Sequence, residues 1–202
     1  MPDLLHYAQR ELRSKKNKKK AKILQGFFKT GPGEYGAGDI FLGLTVPQTR
    51  SIARKYDHLP LSGVQSLLLS KFHEERLAGI LILVSRSERS DKTGRKKIYD
   101  FYLKNSKRVN NWDLVDLSAP KIIGTHLLNK PKNILYKLAR SKNLWQRRIA
   151  ILSTFSFIKA GKFNDTIKIS EILLDDSHDL IHKAIGWMLR EIGKQAPWVL
   201  EK

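Results

Sequence analysis

The chain contains no cysteine among its 202 residues, which excludes disulfides, thiolate metal centres and cysteine nucleophiles. Acidic residues are scarce, with 19 Asp and Glu against 38 Lys and Arg, for a formal net charge of +19. Long apolar runs are missing too, because the longest, Ala78–Val84, contains a glycine and is far too short to cross a bilayer. The N-terminus lacks the unbroken apolar segment of a signal peptide. These absences together predict a cytoplasmic protein that no apolar segment anchors in a membrane.

What the chain has in excess is positive charge, which favours a polyanionic partner. Nucleic acid is the first candidate, an anionic membrane surface is the second, and a basic protein without such a partner is the remaining alternative. The densest basic run, Arg13–Lys22, is typical of a solvated face or of an arm that contacts phosphates. We expect residues 1–26 to form a basic helical arm of one domain that spans residues 1–202.

The hydrophobic periodicity predicts an all-α protein. Leu4–Phe28 is expected to form one helix or a broken pair, and the pattern beyond Leu44 stays helical, with Leu144–Lys159 as one continuous helix. Pro47 suits the first turn of the helix that follows it. No hairpin signal interrupts this pattern.

A weak internal repeat indicates how the helices are arranged. Four segments share a polar or basic entry, then an alanine and an apolar stretch, and their alanines Ala78, Ala119, Ala150 and Ala184 are 41, 31 and 34 residues apart. Such periods predict antiparallel helix pairs stacked as a HEAT-like or armadillo-like α-solenoid with a basic concave face. The residues that enter each second helix are expected to converge on that face: Arg76, Trp112 with Asp116, Arg148 and Lys183.

A glycine-rich segment, Thr30–Asp39, precedes this helical region. Gly31–Gly36 fits the letter pattern G-x-G-x-x-G, but no β-branched strand comes before it and Pro32 disrupts the required turn. We therefore predict a loop with several positive-φ positions instead of a dinucleotide site. Such a loop is either a plain connector or a cover over the backbone of a partner.

The candidate chemistry lies in Asn110–Gly124. Trp112 and Asp116 are four residues apart and share a helix face. From the spacing alone, an amphipathic helix with a salt bridge is as good an interpretation as a functional acid. Asp113 is expected to interact with the dipole of the helix N-terminus. The six histidines show no metal-ligand spacing, so we expect no metal.

Three ordered motifs give the segment a context: Asn111-Trp-Asp-Leu-Val-Asp116, Leu144-Trp-Gln-Arg-Arg-Ile-Ala-Ile-Leu152 and His182-Lys-Ala-Ile-Gly-Trp-Met-Leu-Arg190. Together with the glycine-rich segment and the charge, they resemble the DNA alkylation repair family of AlkD-like alkylpurine DNA glycosylases. The resemblance runs from about Phe27 to Gly193. It implies a curved stack of HEAT-like repeats that holds double-stranded DNA, acts as a monomer and uses no cofactor.

The activity that the resemblance implies is monofunctional hydrolysis of the N-glycosidic bond of cationic N-alkylated purines, chiefly 3-methyladenine and 7-methylguanine, without base flipping. Asp116 matches the catalytic carboxylate, and Trp112 and Trp187 match the indoles that lie against the sugar. Arg148 matches a phosphate contact, and further DNA contacts are expected from Arg76, His182, Lys183 and Arg190. The alternative is a non-catalytic basic helical-repeat module that binds structured DNA or RNA.

Overall fold

A computed structural model describes residues 4–201, and within that range the chain is all-α. The only β-type pairing there is one isolated parallel bridge between Ile40 and Phe72. The helices are α1 (Leu4–Ser14), α2 (Lys18–Phe27), α3 (Val46–Lys55), α4 (Leu61–Leu68), α5 (His73–Arg89), α6 (Lys92–Lys104), α7 (Trp112–Ala119), α8 (Thr125–Leu127), α9 (Asn133–Ala139), α10 (Leu144–Ser153), α11 (Phe155–Lys159), α12 (Asn164–Ile172) and α13 (Asp179–Gln195). No helix in the described part is long and apolar enough to cross a membrane.

Four helices form the central row of the fold. Helix α5 contacts α7, α7 contacts α10, and α10 contacts α13, while partner helices such as α4 and α9 pack against this row. These four helices are the ones that carry the repeated alanines. Ala78, Ala119, Ala150 and Ala184 are all buried, so each lets its neighbours approach closely. The prediction of an all-α helical-repeat fold is confirmed.

The N-terminal segment takes the second of its two predicted forms, a broken pair. Helix α1 ends at Ser14, and α2 begins after Asn17, whose side chain caps it by accepting from the Lys20 N–H. The expected single helix Leu144–Lys159 is wrong, since it divides at Thr154. The Thr154 hydroxyl donates to the Ile151 carbonyl at 2.7 Å and so competes with the helical hydrogen-bond pattern.

The segment that follows the glycine-rich loop is fixed to α5 by one buried carboxylate. Glu74 accepts backbone N–H groups from Leu42, Gly43 and Leu44 at 2.8, 2.8 and 3.1 Å. Positive φ angles occur at Gly33 and Gly38 within the loop, as predicted, and at Gly43 just beyond it. At Gly43 a Cβ atom would lie 2.2 Å from the Asn17 carbonyl, so this close approach to α2 requires glycine. The loop is therefore held at a fixed position beside α2 and α5.

Candidate active site

Asp116 and Arg148 form the central ion pair of the candidate site. Arg148 Nε lies 2.8 Å from Asp116 Oδ1 and its Nη2 lies 2.8 Å from Oδ2, which is a two-point contact between α10 and α7. The third nitrogen, Nη1, donates to the Leu180 carbonyl at 2.5 Å, in the first turn of α13. One guanidinium thus ties together three consecutive helices of the central row.

The pair is only partly shielded from solvent. The Asp116 side chain is 19% exposed, whereas Arg148 as a residue is only 5% exposed. Burial raises the pKa of Asp116, and the hydrogen bonds and positive charge of Arg148 lower it; the net pKa lies above the ordinary aspartate value. Arg148 uses three of its five N–H groups in these contacts, so only two remain to bind a phosphate.

Trp112 begins α7, one turn before Asp116, and it rests on aromatic rings from α2. The side chain of Asn111 caps this helix end by accepting from the Trp112 N–H at 2.8 Å. The Trp112 ring stacks on Phe28 with centroids 4.9 Å apart and planes at 16°, and Phe27 meets it edge-on at 5.8 Å. One face of the indole is therefore occupied by the protein, and its orientation is fixed by packing.

Tyr35 is a residue of this site that the sequence motifs did not identify. It reaches from the glycine-rich loop to Trp145, at a ring-centroid distance of 6.0 Å, and to His178, at 6.2 Å. Burial raises the pKa of Tyr35, and the nearby Trp112 side chain partly opposes that rise. The sequence signal that could have identified Tyr35 is an isolated aromatic residue among glycines. The loop thus contributes a side chain to the site instead of serving as a plain connector.

Trp187 lies on α13, two turns after the residue that accepts from Arg148. Its ring packs on Phe155 with centroids 5.6 Å apart. Among the described residues, no ring contact joins Trp187 to Trp112. The structure brings Asp116 and Arg148 together, places Trp112 on the same helix as Asp116, and leaves Trp187 linked to them through α13.

Three of the predicted DNA contacts are exposed on α13. Lys183 pairs with Asp179 at 2.7 Å, His182 Nε2 lies 2.5 Å from the Asp176 carbonyl, and Arg190 is also on the surface. Arg147, the neighbour of Arg148, pairs instead with Asp176 at 2.5 Å.

Arg76 does not fit its predicted role in DNA binding. It is 4% exposed, and its Nη2 lies 2.6 Å from Asp39 Oδ1 as an ion pair inside the protein. Its Nη1 donates to the Ser70 carbonyl at 2.9 Å. A phosphate cannot reach a guanidinium in this position, because the loop that carries Asp39 covers it. The prediction for Arg76 is therefore corrected to a structural role.

The same ion pair belongs to a buried charged cluster beneath Trp112. His73 Nε2 lies 2.8 Å from Asp113, and its Nδ1 lies 3.3 Å from Asp39. Burial alone would lower the pKa of His73, but the charge and hydrogen bond of Asp113, together with the hydrogen bond to Asp39, raise it to about 9. Burial would raise the pKa of Asp39, and His73 and Arg76 outweigh it and lower that pKa. Asp113 is thus a buried partner of His73, besides lying in the first turn of α7.

The described residues contain no group of three His, Asp or Glu side chains arranged to hold a metal ion. A cavity of about 320 Å³ lies between α3, α5 and α7, and its lining includes Arg50, Ser85 and Lys121. Neither Asp116 nor the two indoles line this cavity. The candidate site therefore lies outside this cavity.

Comparison with known proteins identifies the family of this chain. The sequence model of the DNA alkylation repair enzyme family matches residues 8–202. A search of curated proteins returned no significant match. Among solved structures, a protein described as a predicted DNA alkylation repair enzyme from Enterococcus faecalis is similar, with a TM-score of 0.72 and 20% identity over 93% of this chain and 88% of that chain. That structural likeness shows the shared fold, and the family match, which covers nearly all of the sequence, shows the family. This chain belongs to the DNA alkylation repair enzyme family.

Proposed function

We propose that this protein is a monofunctional DNA glycosylase. It hydrolyses the N-glycosidic bond of cationic N-alkylated purines, 3-methyladenine and 7-methylguanine, in double-stranded DNA. The protein acts as a monomer without a cofactor, and the lesion stays in the helix during the reaction. Membership of a DNA alkylation repair family supports the role in repair, and the residues at the site support the chemistry.

The observation that carries the proposal is the partly exposed carboxylate of Asp116, held by Arg148 one helical turn from Trp112. Alkylation at N7 or N3 makes the purine cationic, so it departs as a neutral base and needs no general acid. The remaining barrier is the positive charge that develops on the sugar. A fixed carboxylate stabilises that charge and orients water, and the negative faces of indole rings favour it as well.

The position of Asp116 supports a reaction without base flipping. Enzymes that flip a nucleotide place the base in a closed pocket. The cavity of about 320 Å³ between α3, α5 and α7 is not lined by Asp116, Trp112 or Trp187. A partly exposed acid outside that cavity can approach the sugar of a nucleotide that remains stacked, because the C1′ atom is accessible from outside the helix.

Positive charge near the site supports a DNA partner. His182, Lys183 and Arg190 are exposed on α13, the helix that receives the Arg148 hydrogen bond. The lysines of α2 are exposed on the side of the site that carries Phe27 and Phe28. Phosphate neutralisation by such residues supplies most of the sequence-independent affinity for DNA.

One observation favours the alternative, a non-catalytic DNA- or RNA-binding module. Both oxygens of Asp116 are satisfied by Arg148, as in a structural ion pair. The exposed fraction of the Asp116 side chain and its position one turn after Trp112 favour the enzyme. A purely structural ion pair gains nothing from a partly exposed carboxylate that would repel DNA phosphates.

Base release decides between the two functions. Purified protein is incubated with duplex DNA that contains 7-methylguanine, and the freed base is measured by chromatography. Asp116→Asn preserves the shape of the side chain and removes its charge, so we expect release to fall by about 10²–10³-fold while binding persists. Asp100→Asn, an exposed acid paired with Lys96, serves as the matched control. Normal release by Asp116→Asn would refute the mechanism, and release by neither wild type nor variant, with binding intact, would favour the binding module.

A further inference from the structure

An apolar ridge formed by Ile23 and Phe27 lies on the solvent side of α2, the helix whose last residue contacts Trp112. Ala21 and Phe28 are buried, which defines the inner face of this segment. On the opposite face, Ile23 is 63% exposed and Phe27 is 62% exposed, one helical turn apart. An isolated exposed residue needs no explanation, but two large apolar side chains aligned on one helix face do.

Lysines surround this ridge. Lys18, Lys19, Lys20 and Lys22 are exposed on α2, and Lys29 is exposed just beyond its end. The sequence of α2, KKKAKILQGF, contains no acid that could neutralise them. The helical repeat places Lys19 and Lys20 one turn before Ile23 on the same side. The surface therefore combines an apolar centre with a positively charged border.

The ridge ends at the candidate active site. The Phe27 ring meets Trp112 edge-on, with centroids 5.8 Å apart and planes at 72°. Successive bases along a DNA strand are about 3.4 Å apart. If a nucleotide lies against Trp112, Phe27 is therefore one or two base steps away from it along the DNA strand.

We propose that the Ile23–Phe27 ridge inserts into a groove of the duplex beside the nucleotide that faces Trp112, with the lysines of α2 bound to the flanking phosphates. This inference rests on the proposed function for its DNA partner. Apolar side chains that enter a groove partly unstack a base step and bend the duplex. Such a bend brings the sugar of a stacked lesion towards Trp112 and Asp116 without extruding the base.

Charge complementarity and position select DNA as the occupant of the ridge. An anionic lipid surface also attracts lysines, but stable membrane attachment requires a larger apolar face than two side chains or a second anchor. The contact between Phe27 and Trp112 moreover connects the ridge to the residues proposed to act on DNA. Membrane binding by the ridge is therefore the competing result that the test must detect.

The test measures binding to an undamaged duplex that carries 2-aminopurine as an unstacking reporter. Phe27→Ala and Ile23→Ala should each weaken binding by roughly tenfold, the order expected for losing one buried apolar side chain, with little change in the salt dependence. Lys19→Ala should instead reduce the salt slope by about one. Leu69→Ala, which removes an exposed leucine from the end of α4, is the matched control. The reporter fluorescence should rise with wild type and stay low with Phe27→Ala.

Two results would overturn the proposal. The first is binding and reporter fluorescence for Phe27→Ala and Ile23→Ala equal to those of Leu69→Ala. The second is unchanged DNA binding combined with a loss of binding to phosphatidylcholine–phosphatidylglycerol vesicles, which would assign the ridge to a membrane. Ile23→Ala controls for an indirect effect through Trp112, because the ring contact with Trp112 is made by Phe27 and not by Ile23. An intact reporter signal without release of 7-methylguanine would refute the proposed glycosylase while leaving the ridge assignment standing.

Discussion

Replacing Asp113 by asparagine tests the buried cluster under Trp112. The change keeps the size of the side chain but removes the carboxylate that lies 2.8 Å from His73 Nε2. His73 is then left with Asp39 at 3.3 Å as its acidic partner, and with the positive charge of Arg76 nearby. We expect the protonated imidazole to lose most of its stabilisation in a site that solvent does not reach.

The magnitude follows from the pKa of His73, which rises from an ordinary 6.5 to about 9 in the folded protein. That rise corresponds to ~3 kcal/mol of folding free energy, similar to the loss expected when one partner of a buried pair is removed. Because the folded pKa is the higher one, this stability is fully present below pH 6.5 and is lost as the pH rises through about 9. Asp113→Asn should therefore lower stability by about 3 kcal/mol at pH 7 and flatten the pH dependence between 6.5 and 9.

Urea denaturation followed by tryptophan fluorescence at pH 6.5, 8 and 9.5 measures both effects. Asp100→Asn is the control, since that exposed acid pairs with Lys96 on the surface of α6 and has no contact with the cluster. Its stability should match that of wild type within about 0.5 kcal/mol. A wild-type protein whose stability is constant from pH 6.5 to 9.5 would show that His73 is not a buried cation, and the reasoning about the cluster would then fail.

Two further predictions concern the residues around the site. Arg148→Ala removes the groups that lower the pKa of Asp116. The acid limb of the pH profile for single-turnover base release should therefore move to higher pH. Arg147→Ala is the control, because Arg147 pairs with Asp176, and it should leave that limb in place. An unchanged limb in Arg148→Ala would argue against control of Asp116 ionisation by this pair. Glu74→Gln loses a carboxylate that accepts three backbone N–H groups and should lower stability by about 2–4 kcal/mol in urea denaturation. Glu88→Gln, on the surface beside Lys121, provides its baseline, and equal midpoints for the two variants would contradict the anchoring role of Glu74.

The helical architecture could be predicted from the sequence because it depends on local patterns. Apolar residues at helical spacing mark each segment, and the recurring alanines mark the helices that pack side by side. The break at Thr154 was not predicted, since a threonine inside an apolar stretch is compatible with a helix until its hydroxyl binds the Ile151 carbonyl. Element boundaries of this kind depend on a single side-chain hydrogen bond.

The roles of charged residues were harder to predict, because they depend on partners distant in the sequence. Arg76 was assigned to DNA binding from its place at the entry of α5, but Asp39, 37 residues earlier, neutralises it inside the protein. Tyr35 was not identified for the same reason, since its neighbours Trp112, Trp145 and His178 lie much later in the chain. Loop residues of this type are assigned only when the fold brings those partners together.

The two acids of α7 have different surroundings and different proposed roles. Asp113 and Asp116 are three residues apart, yet Asp113 faces the buried His73 and Asp116 faces the surface edge with Arg148. Each acid has its own cation, so the carboxylate of the proposed reaction does not compete with Asp113 for a shared partner. The internal pair fixes the N-terminus of α7 against α5, and Trp112 at that end is stacked on Phe28. The orientation of Trp112 relative to Asp116 thus depends on buried charges, and Asp113→Asn should disturb the site through its geometry while leaving the carboxylate of Asp116 in place.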